Sequence, residues 1–178
     1  MRCRSTFSPG RCVRLAVTML LVASASASPG TPQASLSQWD ARAIERARVG
    51  AAKRLLDPAC RKVLTDFSDA HGRTLQENLE DLGLSVAAYL QTITFVDGSA
   101  TRSYKQSFVL MVASPGLPSV SVCRGDGRAM SRLAQTGFRN PWLVESILIH
   151  EMLHTLGLGE NPPTSQHITW QVQQRCNP

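Results

Sequence analysis

Two histidines and two glutamates are concentrated in the segment HEMLHTLGLGE, residues 150–160. On an α-helix, His150 and His154 would lie about 40° apart around the axis and about 6 Å apart along it, so both imidazoles can bind one cation. Glu151 would lie on the neighbouring flank, where its carboxylate can take a proton from a water held by that cation. The spacing predicts a hydrolytic zinc site with Glu151 as general base.

Glu160 is the predicted third metal ligand. Gly157 suits the left-handed residue that ends a helix, after which the chain can turn back towards the metal. Three protein ligands leave the fourth position of a tetrahedral zinc ion open to water. His167 is the alternative ligand, because a following helix could return it to the site, but Glu160 has the shorter path.

The helix that carries the two histidines is predicted to run from Pro141 to Leu156. Its apolar residues cover nearly the whole circumference, which is typical of a buried helix. They are Trp142, Leu143, Val144, Ile147, Leu148, Ile149, Met152, Leu153 and Leu156. Buried imidazole and carboxylate groups need polar partners, and a single metal ion satisfies all of them together.

The pattern HExxHxxGxxE resembles the zincin superfamily of zinc metallopeptidases in its metzincin arrangement. Glu160 stands where metzincins usually have His or Asp, and no methionine follows Met152 to form their methionine turn. The run GLGENPP at residues 157–163, with Ile168-Thr169 and Arg175-Cys176, is similar to a family of small secreted bacterial proteins. The resemblance implies a zincin-like domain that binds zinc and acts on a peptide or protein substrate.

The first 27 residues are predicted to be a signal peptide. They contain four arginines and no acidic residue, then an apolar stretch from Leu15 to Ala23 and the small residues Ala25-Ser26-Ala27. The apolar stretch is too short to span a bilayer, so we expect an exported protein, secreted or periplasmic, without a stable membrane anchor. Residues 28–36 are then a flexible leader, and residues 37–178 form one domain.

The charge of the chain does not indicate a nucleic-acid partner. The net charge is +6, but without residues 1–27 the chain has 15 basic and 13 acidic residues, a net charge of +2. The clustered basic residues fall on the polar side of the first predicted helix, where a solvated face is the expected role and a polyanion-binding strip the weaker alternative. They are Arg42, Arg46, Arg48, Lys53 and Arg54.

Three cysteines follow the predicted signal peptide, at positions 60, 123 and 176. In an exported protein this odd number predicts one disulfide and one thiol outside it. We favour Cys60 with Cys176, which would tie an N-terminal helix to the C-terminal one. Sequence alone does not fix the connectivity.

The order of predicted elements indicates an α+β fold. Helices are predicted from the Ser37 cap to about Leu56, from Asp57 to Phe67, and over 74–82 and 85–90. Strands are predicted over 92–96, 107–113 and 119–123, forming a small, mainly antiparallel sheet, and the polar run from Gly125 onwards is predicted as a loop. The helix over 141–156 and a last helix, capped by Ser165 and ending near Arg175, complete the fold.

These observations predict an exported zinc-dependent peptidase or related amide hydrolase. The alternative is an exported, metal-stabilised binding or structural module without turnover. Tyr89 and Tyr104 are candidate donors to an oxyanion, although sequence gives no geometry for them. His71 lies beside a glycine and is expected to be a surface residue.

Overall fold

The computed structural model describes residues 36–98, 109–123 and 130–177. Within these ranges the helices are α1 (Gln38–Arg54), α2 (Pro58–Arg61), α3 (Val63–Asp66), α4 (Leu75–Asp81), α5 (Val86–Thr92), α6 (Arg132–Arg139), α7 (Pro141–Thr155) and α8 (Ser165–Cys176). The strands are β1 (Thr94–Asp97), β2 (Met111–Ala113) and β3 (Ser119–Val122). These helices together with one small sheet confirm the predicted α+β class.

Helices α1, α2 and α4 begin where their capping residues predict. Ser37 accepts a hydrogen bond from the Asp40 N–H at the start of α1, and Asp57 caps α2 ahead of a proline. Thr74 caps α4 with a capping box: the Thr74 hydroxyl accepts from the Glu77 N–H, and the Glu77 carboxylate accepts from the Thr74 N–H. These side chains satisfy amide groups that the first helical turn leaves without partners.

Three local predictions need correction. The helix predicted from residue 57 to residue 67 divides at Lys62 into α2 and α3. The polar run predicted as a loop contains α6, which Ser131 caps and which buries Leu133, Ala134 and Gly137. The last helix is capped by Thr164 rather than by Ser165. In α6 the internal glycine and threonine weaken the helical pattern, although Gly137 fits closely against α1 and α7.

The sheet is mixed, with strand order β1-β3-β2. The turn at residues 114–118 makes β2 and β3 an antiparallel hairpin, as predicted. β1 takes the other edge of β3 and runs parallel to it, so the prediction of a mainly antiparallel sheet is correct only for β2 and β3. Among the described residues, this order leaves β2 as an edge strand.

Helix α7 lies at the centre of the core, as its apolar sequence predicts. It packs against α1, α6, α8 and β2, and Leu148, Ile149, Met152 and Leu153 are fully buried. The second half of this helix carries both histidines of the predicted site, so the surrounding core fixes the backbone from which they project.

A disulfide joins Cys60 in α2 to Cys176 at the end of α8, which confirms the favoured pairing. Arg54 of α1 supports the same corner by donating to the Cys176 carbonyl at 2.8 Å and to Glu145 at 2.5 Å. Cys123 is a buried thiol. This corner therefore holds the C-terminal helix to α1 and α2.

The basic residues of α1 do not form one uniformly solvated face. Arg42, Arg46 and Lys53 are exposed, as predicted. Arg48 is partly buried and donates to the Ile93 carbonyl at 2.6 Å, and Arg54 is held at the disulfide corner. Two of the five charges therefore have structural roles.

Among the described residues, no helix is both long and apolar enough to cross a membrane. The predicted signal peptide and nearly all of the predicted leader lie outside these residues.

Candidate metal centre

His150 and His154 lie one turn apart on α7, and both are buried. Their Nε2 atoms approach to 3.0 Å. Two nitrogens bound to one tetrahedral zinc ion at about 2.05 Å would lie about 3.3 Å apart, close to this separation. The helical spacing thus brings the two imidazoles together as the sequence predicted.

The chain just beyond α7 fixes the orientation of the His154 ring. Gly157, with φ +114°, turns the backbone out of the helix, and Leu158 returns into the core. The Leu158 carbonyl lies 2.7 Å from His154 Nδ1, and a carbonyl can only accept a hydrogen bond. The proton of a neutral His154 is therefore on Nδ1, which leaves the Nε2 lone pair directed at the site.

Helix α8 orients the ring of His150. The Thr169 hydroxyl lies 3.0 Å from His150 Nδ1. A hydroxyl can accept from Nδ1–H, and the His150 Nε2 lone pair then faces the site together with that of His154. Burial, and secondarily the neighbouring His154, lowers the pKa of His150 to about 4, so the ring is neutral at pH 7 and suited to bind a cation.

Glu160 completes a group of three possible ligands. One of its carboxylate oxygens lies 3.4 Å from His154 Nε2, and ligand atoms of all three residues lie within 4.8 Å of one another. The Glu160 side chain is 43% exposed, so the group opens to solvent on this side. Two imidazoles and one carboxylate around a partly open site fit a metal ion with one position left for water.

The Glu151 carboxylate lies beside the histidine pair and is almost completely buried. One of its oxygens accepts a hydrogen bond of 2.6 Å from the Ala113 N–H at the end of β2. Burial raises the pKa of Glu151 to about 7; the Glu160 charge adds to this effect, and the Ala113 N–H opposes it. A carboxyl group with a pKa near 7 can both accept and release a proton at neutral pH.

The histidines open onto a cleft of about 450 Å³ between α7, β2 and the start of α8. Next to the β2–β3 ladder, the Cys123 N–H donates a hydrogen bond to the Leu110 carbonyl. In an antiparallel pair, hydrogen-bonded and non-hydrogen-bonded residue pairs alternate, so the backbone N–H and C=O groups of Met111 and Ala113 point away from β3. The bond from the Ala113 N–H to Glu151 confirms that this outer edge faces α7. The cleft therefore has a strand edge along one wall, and the three possible ligands His150, His154 and Glu160 line it as well.

The other candidates do not join the site. His167 is exposed, and its ring contacts Phe67 and Trp170. The Tyr89 hydroxyl donates to Thr155 inside the core, which engages its proton away from the cleft. His71 lies on an exposed turn, as predicted, and Tyr104 lies outside the described residues.

Sequence reasoning missed three residues that position the site: Ala113, Leu158 and Thr169. Ala113 and Leu158 act through backbone groups, for which side-chain identity gives no signal. Thr169 lies nineteen positions beyond His150. Only the packing of α8 on α7 brings its hydroxyl to the ring.

We compared the chain with protein-family models, curated proteins and solved structures, and none of the three comparisons gave a match. The geometry of the site is therefore the basis for inferring the function of the protein.

Proposed function

We propose that the protein is an exported zinc-dependent hydrolase that cleaves peptide or related amide bonds. The observation that carries the proposal is the convergence of His150 Nε2, His154 Nε2 and the Glu160 carboxylate beside the buried carboxyl of Glu151. Helix α7 carries the two imidazoles and Glu151, and the chain beyond it carries Glu160, so the three ligands and the base lie in suitable positions. Nitrogen and carboxylate ligands at this spacing favour zinc among the common divalent ions.

In this proposal each residue of the site has one role. His150, His154 and Glu160 hold the ion, and Thr169 and the Leu158 carbonyl keep the imidazoles aligned. A bound zinc ion would act as a Lewis acid and would lower the pKa of its bound water towards 7. The Glu151 carboxylate accepts the proton of the attacking water and then delivers it to the leaving amine.

The outer edge of β2 supplies a binding site for an extended peptide. The Met111 N–H and C=O and the Ala113 C=O face the cleft, so a substrate strand can add to the sheet by backbone hydrogen bonds. Such pairing places successive peptide carbonyls along the floor of the cleft. Because it uses backbone groups, it contributes affinity and little side-chain selectivity.

The test combines metal analysis with peptide cleavage by the purified protein that lacks residues 1–27. Elemental analysis is expected to find one zinc ion per chain, and mass spectrometry of a peptide library is expected to find cleavage products. Glu151→Gln is nearly isosteric and removes only the base, so it should retain the ion and lose cleavage by at least about 100-fold. Glu80→Gln, the same change on an exposed helix, is the matched control.

Two results would contradict the proposal. Absence of bound zinc after loading would remove the metal centre. One zinc ion without cleavage of any peptide would favour the alternative, a metal-stabilised binding or structural module. The bond between Glu151 and the Ala113 N–H motivates that alternative, since it also joins α7 to the sheet.

Export is part of the proposal and has its own measurement. The arginine-rich start, the apolar stretch and the Ala25-Ser26-Ala27 site predict removal of residues 1–27. Mass spectrometry of protein recovered outside the cytoplasm should find a chain that begins at Ser28. A chain that retains Met1 would contradict this step.

A further inference from the structure

The cleft over the metal-binding group continues into a second cavity of about 470 Å³. Leu110, Ile147 and Thr169 line both spaces, so they form the boundary between them. Thr169 also contacts His150. The second cavity therefore begins directly beside the first metal ligand.

Its distance from the metal ligands follows from the geometry of α7. Ile147 and Leu143 precede His150 by three and seven residues, which corresponds to about 4.5 Å and about 10 Å along the helix axis. A peptide backbone that passes over His150 and His154 could therefore extend one side chain into this cavity, because these distances match the length of a side chain. The cavity is thus placed to receive a residue next to the bond at the metal.

The lining of this cavity combines apolar and basic groups. Leu110, Leu143 and Ile147 supply apolar surface, and the polar lining comes from α6, from Arg132, Gln135, Thr136 and Arg139, with Thr169 at the boundary. No acidic residue of the described chain lines it. Arg139 is exposed at the end of α6 and forms no ion pair within the described residues.

We propose that this cavity, the arginine subsite, binds a carboxylate of the substrate and makes the enzyme selective for acidic peptides. Apolar walls accommodate the methylene groups of a glutamate-like chain, and the Arg139 guanidinium binds the carboxylate at its end by charge-assisted hydrogen bonds. The carboxylate belongs either to an acidic side chain or to the C-terminus of a short substrate. The inference rests on the proposed function, because the metal centre sets the position of the peptide.

The test measures binding, so it does not require turnover. Peptide hydroxamates attach to zinc through the hydroxamate group, and a series is made that differs only in the residue next to it, Glu or Gln. A second pair differs only in its C-terminus, free acid or amide. Isothermal titration of the zinc-loaded protein gives the four dissociation constants for wild type, for Arg139→Gln and for Arg61→Gln. The last is a control that removes the charge of an exposed arginine on α2.

Wild type should bind one acidic member about fivefold more tightly than its neutral partner, as expected for a partly exposed ion pair. The pair that shows this preference identifies the source of the carboxylate, side chain or C-terminus. Arg139→Gln should abolish the preference without weakening binding of the neutral member, and Arg61→Gln should keep it.

Equal affinities for both members of each pair in wild type would overturn the arginine subsite, as would a preference that survives in Arg139→Gln. Hydroxamates that bind without preference while peptides are cleaved would reject the subsite alone. A preference for the acidic member without peptide cleavage would reject turnover and support the subsite. Failure of every hydroxamate to bind would reject both.

Discussion

Helix α8 is attached to the rest of the molecule in different ways at its two ends. Near its start, Thr169 contacts the ring of His150 beside an open cleft. At its last residue, Cys176 forms the disulfide with Cys60, and its carbonyl accepts a hydrogen bond from Arg54. The start of α8 is attached by a hydrogen bond to an ionisable ring, and its end is attached by a covalent bond.

The start of α8 therefore contributes to the candidate site, and its end contributes to the stability of the fold. Near its start, α8 contacts a group of side chains that could hold a metal ion, and under the proposed function we expect the order of this end of the helix to depend on that ion. The end of α8 is held by the disulfide, a bond that needs no metal ion. Burying polar groups in the cleft lowers the stability of the fold. The disulfide at the opposite end of α8 offsets this loss without needing a ligand.

Removal of a metal ligand should produce the largest effect. His154→Ala takes away one of three protein ligands, and we expect zinc affinity to fall by at least about 100-fold. The disulfide should remain intact, which mass spectrometry under non-reducing conditions can verify. His167→Ala is the matched control and should still bind one zinc ion, because His167 contacts Phe67 and Trp170 instead.

The same experiment decides the third ligand. Glu160→Ala should also weaken zinc binding, measured by competition with a chromophoric chelator. Full affinity in Glu160→Ala together with loss in His167→Ala would show that the exposed histidine moves to the metal, contrary to the arrangement described.

Removal of the disulfide should act on stability and leave the metal centre unchanged. The bond closes a loop with a sequence separation of 116 residues, so the double variant Cys60→Ser, Cys176→Ser should lose about 2–5 kcal/mol in the free energy of unfolding. Urea denaturation measures this loss. Zinc stoichiometry at saturating metal should stay at one, and a variant that folds but no longer binds zinc would show that the two ends of α8 are coupled.

The two ends also differ in what the sequence reveals. At the candidate metal centre His150 and His154 lie at helical spacing and Glu160 follows within the same eleven residues, so the local pattern alone predicts that these groups come together. At the disulfide corner the cysteine count predicts a bond, but its partners are far apart in sequence and only the fold decides them. The parallel pairing of β1 depends likewise on which edge of β3 is available after the hairpin forms. Local signals predicted the caps of α1 and α2 and the approach of the two imidazoles, but not the Thr164 cap of α8, and long-range packing determined the rest.

A smaller effect is expected from the contact that links α8 to the metal centre. Thr169→Val keeps the shape of the side chain and removes the hydroxyl beside His150 Nδ1. Because such supporting hydrogen bonds orient a metal ligand, zinc affinity should fall by about tenfold. Thr65→Val, on an exposed part of α3, makes the same chemical change and should leave the affinity at the wild-type value. Equal affinity in Thr169→Val would show that α8 does not orient the ring.

The smallest expected effect is the pH dependence of the metal-free protein. The pKa of His150 falls from 6.5 to about 4 on folding, so its contribution to stability rises with pH across this interval. The pKa of Glu151 rises from 4.5 to about 7, so its contribution is present at low pH and is lost as pH increases. Between pH 4.5 and pH 6.5 the two slopes are opposite and nearly cancel.

The cancellation can be removed with one substitution. In Glu151→Gln only the His150 contribution remains, so urea denaturation of the metal-free variant should show a free energy of unfolding that rises between pH 4.5 and pH 6.5. Wild type and Glu80→Gln should both change little over the same interval. The reason is that a buried imidazole must stay neutral to keep its place in the core, whereas a buried carboxyl is most stable when protonated. A flat profile in Glu151→Gln would show that His150 is more accessible to water than its burial on α7 indicates. The start of α8 would then be more mobile than the end held by the disulfide.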